Sequence, residues 1–254
     1  MDGSAATQAD TSTPIVETED LRKVYGEGAA QVCALDGVDL NMRPGEFVAV
    51  MGPSGCGKST LLNMIGGLDR PTSGREIIDG TDLTTMDDDK LTTLRRRRIG
   101  FIFQFFNLIP VLNATENAAL PLTLDGAPKA LERAAAWLTN VGLGDRLKNR
   151  PDQLSGGQQQ RVAVARALST EPALVLADEP TGNLDSKSAT EIATLLQQVS
   201  TEWGRSVLMV THDPRIASYA QRLVLMKDGK VVDDVLLDGT REAAHHAMEK
   251  SGLL

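Results

Sequence analysis

The sequence predicts an α/β fold with a mainly parallel sheet, and three observations carry that prediction. Short apolar runs end at Gly52, at Asp178 and at Thr211-His212. Helix-period patterns separate the runs, as expected for parallel strands buried on both faces. The first run, Phe47-Val48-Ala49-Val50-Met51, breaks into a glycine-rich loop (Gly52-Pro53-Ser54-Gly55-Cys56-Gly57), after which Lys58, Ser59 and Thr60 open an apolar helix. Open α/β sheets place their chemistry outside the C-terminal ends of the strands, so these three ends are expected side by side.

The bulk numbers narrow the class. A chain of 254 residues suits one large domain or a domain carrying an inserted subdomain. Its 41% hydrophobic and 24% charged residues are ordinary for a globular protein. No stretch approaches the roughly 18 consecutive apolar residues of a membrane span. Residues 1–14, MDGSAATQADTSTP, lack the basic start and apolar core of a secretory signal, and their composition suits a disordered tail. A net charge of −8 weighs against general nucleic-acid affinity. The two cysteines, Cys33 and Cys56, fit a reducing cytoplasm, since a disulfide at Cys56 would disable the loop that contains it.

In chain order, Ile15 to Val24 reads as a first strand and Tyr25-Gly26-Glu27-Gly28 as a turn. Residues 31–42 suit strands around an Asp36-Gly37 turn, and Pro44-Gly45 turns the chain into the Phe47–Met51 strand. Gly66-Gly67 stops the next helix, Arg70 to Gly74 reads as loop, and Ile77-Ile78 before Asp79-Gly80 as a short strand and turn. Asp87 to Asp89 cap a helix running through Arg98. The basic run Arg95 to Arg98 then falls at the cation-favouring end of the helix dipole, which explains it better than a nucleic-acid patch. Ile99 to Phe103 is a strand with Phe101 and Phe103 on one face, expected in the core. Phe105 and Phe106 either mark a partner-binding surface or cap a small subdomain.

From Glu116 to Thr170 the pattern is mostly helical, with Leu131, Ala135, Leu138 and Val141 at helical spacing and Gly142 as a stop. Ser155-Gly156-Gly157-Gln158 has capping-box form and opens a helix running to about Thr170. Residues 173–177 form a buried strand that delivers Asp178 and Glu179. Ile192, Leu195, Leu196 and Val199 mark an amphipathic helix, residues 206–210 a strand, and Asp228-Gly229 a hairpin turn. Residues 239–254 are weakly helical.

The spacing Gly52, four residues, Gly57-Lys58-Ser59 is the phosphate-binding P-loop pattern. Its glycines let backbone N–H groups turn toward phosphate oxygens, the following helix offers its positive end, Lys58 supplies a point charge, and the Ser59 hydroxyl suits Mg²⁺. Asp178 at its strand end suits the Walker-B carboxylate that holds Mg²⁺, and Glu179 suits a general base for water. His212 suits contacting phosphate or orienting Glu179. The glycine-rich helix start at Ser155–Gln158 is a second anion site, most simply used on a nucleotide held by another copy of the chain.

These residues together resemble the ATP-binding-cassette (ABC) ATPases over roughly Ile15 to Asp234, with LSGGQ at Leu154–Gln158 lying between Walker A (Gly52–Thr60) and Walker B (Leu174–Asp178). The resemblance implies a P-loop NTPase (RecA-like) core at 15–104 and 168–236, an N-terminal antiparallel β subdomain, an inserted α-helical subdomain at 105–167, and an extension at 237–254. It implies ATP and Mg²⁺ as ligands, with Tyr25 stacking on adenine. Gly52, Ser54, Gly55, Cys56, Gly57, Lys58, Ser59 and Thr60 would line the phosphates, and Ser59, Gln104 and Asp178 the metal. Glu179, His212, Lys58 and Gln104 are the implied catalytic set. Asp185 falls in the D-loop, and Ser155, Gly156, Gly157 and Gln158 would face ATP on a second subunit of a head-to-tail dimer.

A finer resemblance is to the cassettes of macrolide-export and lipoprotein-release systems and of an FtsX-linked division system. It rests on Gly67–Gly74, Gly100–Gln104, Asn107-Leu108, Glu116-Asn117 and Leu176–Asp185. It implies a protein peripheral on the cytoplasmic face of the cell membrane that drives a permease contacted near Phe105, Phe106 and Leu108. Importer cassettes share much of this pattern. A DNA-repair or regulatory ATPase is disfavoured by the absence of a long heptad insertion, by the negative charge, and by the complete Walker and signature residues. Two departures, Arg75-Glu76 and Leu40-Asn41-Met42, touch no expected catalytic role.

Overall fold

The structure is a computed structural model that describes residues 13–238 and 240–251. Of the predicted tail at 1–14, only Thr13 and Pro14 fall within the described residues.

Two sheets share the chain. Strands β1 (Val16–Tyr25), β2 (Val32–Met42), β4 (Ser73–Ile78) and β5 (Thr81–Asp82) form an antiparallel sheet of order β2-β1-β4-β5. A second sheet has the order β10-β9-β3-β8-β7-β6, built from β3 (Phe47–Met51), β6 (Ile99–Phe103), β7 (Leu174–Asp178), β8 (Ser206–Val210), β9 (Arg222–Lys227) and β10 (Lys230–Leu236). Its pairings are parallel except for the β9–β10 hairpin. Asp178 stands opposite Val210, and Val210 opposite Val50, so the predicted strand ends do lie level and adjacent.

The strands β3, β7 and β8 are short runs of apolar residues because both faces are covered. Phe47, Ala49 and Met51 point into one core with Val175, Ala177, Val207 and Met209. Val48 and Val50 point the other way, to Leu174, Leu176, Leu208 and Val210. The first core is roofed by α3 (Ala114–Leu124), α4 (Ala130–Asn140), α5 (Gly156–Leu168), α6 (Ser186–Thr201), α7 (Pro214–Ala217) and α8 (Arg241–Lys250). The second holds α1 (Lys58–Ile65) and the start of α2 (Asp88–Arg98) beneath the antiparallel sheet. Helix α5 packs on α3 and α4 and also on β6 and α6, which makes it the joint between the helical layer and the parallel sheet. Trp137 on α4 meets Trp203 edge-on at 5.2 Å across that joint.

Several local expectations are corrected. Asp36-Gly37 is no turn: β2 runs through it as a bulge, with Leu21 opposite Val38 and Arg22 opposite Asp36, so that Gly37 has no partner. The supposed loop at Arg70–Gly74 becomes strand from Ser73. Phe101 and Phe103 stack at 5.7 Å and are half-buried: Phe101 packs against the second core, and the outer side of both rings lines a groove. On α4 the buried stripe is Ala134, Leu138 and Val141, while Leu131 is exposed. The weakly helical stretch at the end does form α8, whose Ala244, Ala247 and Met248 join the first core beside α7.

Candidate active site

The glycine-rich loop closes between β3 and α1. A Cβ at Gly57 would lie 2.2 Å from the Ala34 carbonyl oxygen, and one at Gly52 would lie 2.1 Å from that of Met226, so neither position accepts a side chain. Gly57 also has φ 102°, which turns the chain into α1. No side chain caps α1, leaving its first-turn N–H groups for an anion. Lys58 is 8% exposed; its Nζ donates to the Gly52 and Pro53 carbonyls at 2.8 Å each and lies 3.9 Å from Cys56 Sγ. The ammonium is thus held inside the loop by acceptors that a phosphate can replace. Both cysteines are free thiols, Cys33 exposed and Cys56 buried.

Ser59 Oγ donates to Asp178 Oδ1 at 3.1 Å, bringing the helix start to the end of β7. Burial and the neighbouring Glu179 raise the Asp178 carboxyl above its ordinary range, while the Ser59 hydroxyl and the Lys58 charge oppose them. A hydroxyl and one carboxylate are hard oxygen donors, the set that Mg²⁺ takes together with phosphate oxygens and water. Among the described residues no cluster of three His, Cys, Asp or Glu could hold a metal alone, so the donor set fits a nucleotide-borne ion.

Beyond Asp178 the chain bends sharply. Glu179 has φ 46°, unusual for a residue with a Cβ, and is held there by its N–H to the Val210 carbonyl at 3.0 Å. That bend brings Glu179 Oε1 to 2.9 Å from His212 Nδ1, at the end of β8. The other oxygen, Oε2, is buried without a hydrogen-bond partner. The histidine ring itself is 72% exposed.

Gln104 follows β6, and its side chain lies over Gly182, where a Cβ would come 2.8 Å from Gln104 Nε2. Tyr25 ends β1 with its hydroxyl donating to Asp69 Oδ2 at 2.9 Å, and Lys23 Nζ stands 4.9 Å from the ring centroid. Burial and the Asp69 carboxylate raise the Tyr25 phenol above its ordinary value. At 40% exposed, the ring has surface to offer a base.

The Ser155 capping box is present as predicted: Ser155 Oγ accepts from Gln158 N, and Gln158 Oε1 from Ser155 N. Gly157 packs on Ser188, whose amide and hydroxyl both bind the Asp185 carboxylate. Among the described residues no hydrogen bond joins residues 155–158 to the loop at 52–60. One chain brings the loop, Asp178, Glu179 and His212 to adjacent strand ends, while Ser155–Gln158 opens α5 against Leu184 and Ser188.

Phe105 is 73% exposed and Val111 71%, whereas Leu108 packs against the first core and Phe106 is half-buried. A groove of ≈ 690 Å³ is lined by Phe103 and Asn107 of this segment together with Leu68, Phe101, Leu120 and Leu124. Asp69, Gln160 and Arg166, all in contact with the site or its loops, were not foreseen from sequence. Each is a lone polar residue with no spacing signal, and only the folded chain shows what it touches.

With this geometry in hand, residues 35–182 match the family described as ABC transporter. A lipoprotein-releasing system ATP-binding protein LolD of Anaeromyxobacter dehalogenans is 50% identical over 88% of this chain and 95% of its own length. A macrolide export ATP-binding/permease protein MacB of Syntrophobacter fumaroxidans is 49% identical over 85% of this chain but only 31% of its own, so the chain spans about a third of that relative. Among solved structures, the ATP-binding cassette MJ0796, a dimer in a post-hydrolysis state bound to ADP and Pi, superposes with a TM-score of 0.80 at 46% identity, covering 89% of this chain and 100% of that one.

Proposed function

Because this chain belongs to the ABC transporter family, we propose that it is the ATP-hydrolysing subunit of a transport complex, dimerising on ATP to drive an FtsX- or MacB-like membrane permease. One observation carries the reading. The phosphate loop, the Ser59–Asp178 pair and the Glu179–His212 pair converge at adjacent strand ends.

In this reading Lys58 and the loop N–H groups bind the nucleotide's phosphates, and Tyr25 supports the base. Ser59 and Asp178, with Gln104 after β6, would hold Mg²⁺. Bound there, the ion neutralises charge on the phosphate oxygens. Glu179 activates the attacking water. His212 orients the Glu179 carboxylate through Oε1, and that carboxylate takes the water's proton. The water oxygen then bonds to the γ-phosphorus as the bond to the β-phosphate bridging oxygen breaks, and ADP and phosphate leave. The Ser155 hydroxyl of a second copy, with the Gly156 and Gly157 N–H groups at the start of α5, closes over the γ-phosphate. The relatives' names, and the apolar floor of the groove beside Gln104, support a cytoplasmic helix of the permease as its occupant. The exposed Phe105 ring would then be buried against that helix. No helix among the described residues is long and apolar enough to cross a membrane.

Phe105→Asp tests the membrane half of the reading. Co-expressed with the permease, the variant should lose at least about tenfold of its membrane-bound fraction, as for a buried aromatic anchor. Its ATP affinity should stay unchanged. Undiminished membrane association would remove Phe105 from the interface.

A further inference from the structure

The segment Phe103–Asn107, which carries Gln104, is held from outside at almost every carbonyl. Gln160 Nε2 donates to the Phe103 carbonyl at 3.4 Å and, more tightly, to that of Pro180 at 2.7 Å. Asn183 Nδ2 donates to the Gln104 carbonyl at 3.0 Å. Arg166 spans the last two, with one terminal nitrogen on the Phe106 carbonyl at 2.8 Å and the other on that of Asn107. Both residues under the guanidinium are left-handed, Phe106 at φ 57° and Asn107 at φ 50°. For a phenylalanine this conformation costs about 1–2 kcal/mol, so the loop does not hold it unaided.

Arg166 is otherwise an anomaly. It is half-buried on α5, between Ala165 and Ala167 of the core, and among the described residues it forms no ion pair. A cation desolvated without a carboxylate needs another compensation, and the two carbonyls supply it through the fork that only arginine offers. The same side chain lines the groove beside Phe101 and Phe103.

We propose that Arg166 is a positioning residue for hydrolysis: its fork locks the left-handed Phe106-Asn107 pair and thereby sets where Gln104 lies against Gly182. This rests on the reading of Gln104 as a group that reaches the ATP-bound metal. Since α5 begins at Ser155-Gly156, the lock also fixes the Gln104 loop to the helix that faces the second subunit's nucleotide. Occupation of the groove reaches Gln104 through the same guanidinium.

Arg166→Lys is the test, because it keeps the charge and removes the fork. The full chain should keep its affinity for metal-free ATP within about twofold, since Lys58 and the loop are untouched. Its kcat should fall roughly 10- to 100-fold, the effect of a small misplacement at a catalytic centre, and the amides of residues 104–108 should exchange faster. Adding Phe106→Gly, which adopts the left-handed conformation without penalty, should recover at least about fivefold of the lost kcat. A purely structural role for Arg166 would not be rescued at Phe106. Should Arg166→Lys not fold, the same comparison of Arg166→Gln with Arg166→Gln/Phe106→Gly replaces it. A kcat within twofold of the parent, or a loss that Phe106→Gly does not relieve, overturns the proposal. Absence of ATP hydrolysis in the unsubstituted chain would instead overturn the proposed function and leave the loop geometry standing.

Discussion

Glu179→Gln should stop turnover while leaving ATP bound. Glutamine keeps the shape of the side chain and its contact with His212 Nδ1 but offers no carboxylate to take a proton. Loss of a positioned general base lowers kcat by roughly 10²–10⁴-fold. Lys58, Ser59 and Asp178 are unaltered, so ATP affinity should stay within a few-fold. With hydrolysis blocked, the dimer should accumulate on ATP addition, visible as a doubling of mass in light scattering. Hydrolysis at the parent rate would remove Glu179 from the role of base.

Glu76→Gln should stabilise the chain at alkaline pH. Glu76 points inward from β4 at 2% exposure, with Oε2 unpartnered, where the antiparallel sheet would otherwise bury an apolar residue. Burial first, then the Asp82 and Asp69 carboxylates, push its carboxyl up to about 8 against an ordinary 4.5, while Arg70 pulls the other way. The sign follows from proton binding. Between pH 4.5 and 8 the folded chain keeps a proton that the unfolded chain has released, so stability falls as pH rises through that window. Below pH 4.5 both states are protonated and the penalty vanishes. The shift corresponds to an order of magnitude of 3–5 kcal/mol across the window. Urea unfolding at pH 5 and pH 8 should show that loss in the parent and most of it abolished in Glu76→Gln. Equal pH dependence in the two proteins would mean that Glu76 is already ionised and solvated.

What sequence could read was set by spacing and by apolar period. The P-loop, the Ser155 capping box and the strands ending at Asp178 and Val210 are local patterns, and all stand where the sequence places them. Tertiary packing decided the rest. Asp36-Gly37 reads as a turn because its dipeptide is the turn signal, yet pairing with β1 draws it into a bulge. Leu131 belongs to an apolar stripe by count, but packing of α4 against α3 and α5 leaves it exposed and buries Ala134. Phe101 and Phe103 satisfy strand alternation on a face that the chain leaves open as a groove. Arg166 carries no local signal, since its partners lie about 60 residues earlier, and Arg75-Glu76 reads in sequence only as a departure that touches no catalytic role, with nothing local to show that Glu76 points inward.

The central claim is that the loop at Gly52–Ser59 is half of a site, completed by Ser155–Gln158 of another copy. Mixing two inactive variants tests it most directly. Lys58→Ala removes one chain's phosphate loop, and Gly157→Arg blocks the other chain's helix start. In a mixed head-to-tail dimer, the intact loop of the second chain meets the intact helix start of the first. If the two sites act independently, random pairing should restore about a quarter of the parent ATPase rate in an equimolar mixture of two silent proteins. A mixture as inactive as its components, with dimers demonstrably formed, would contradict a shared site.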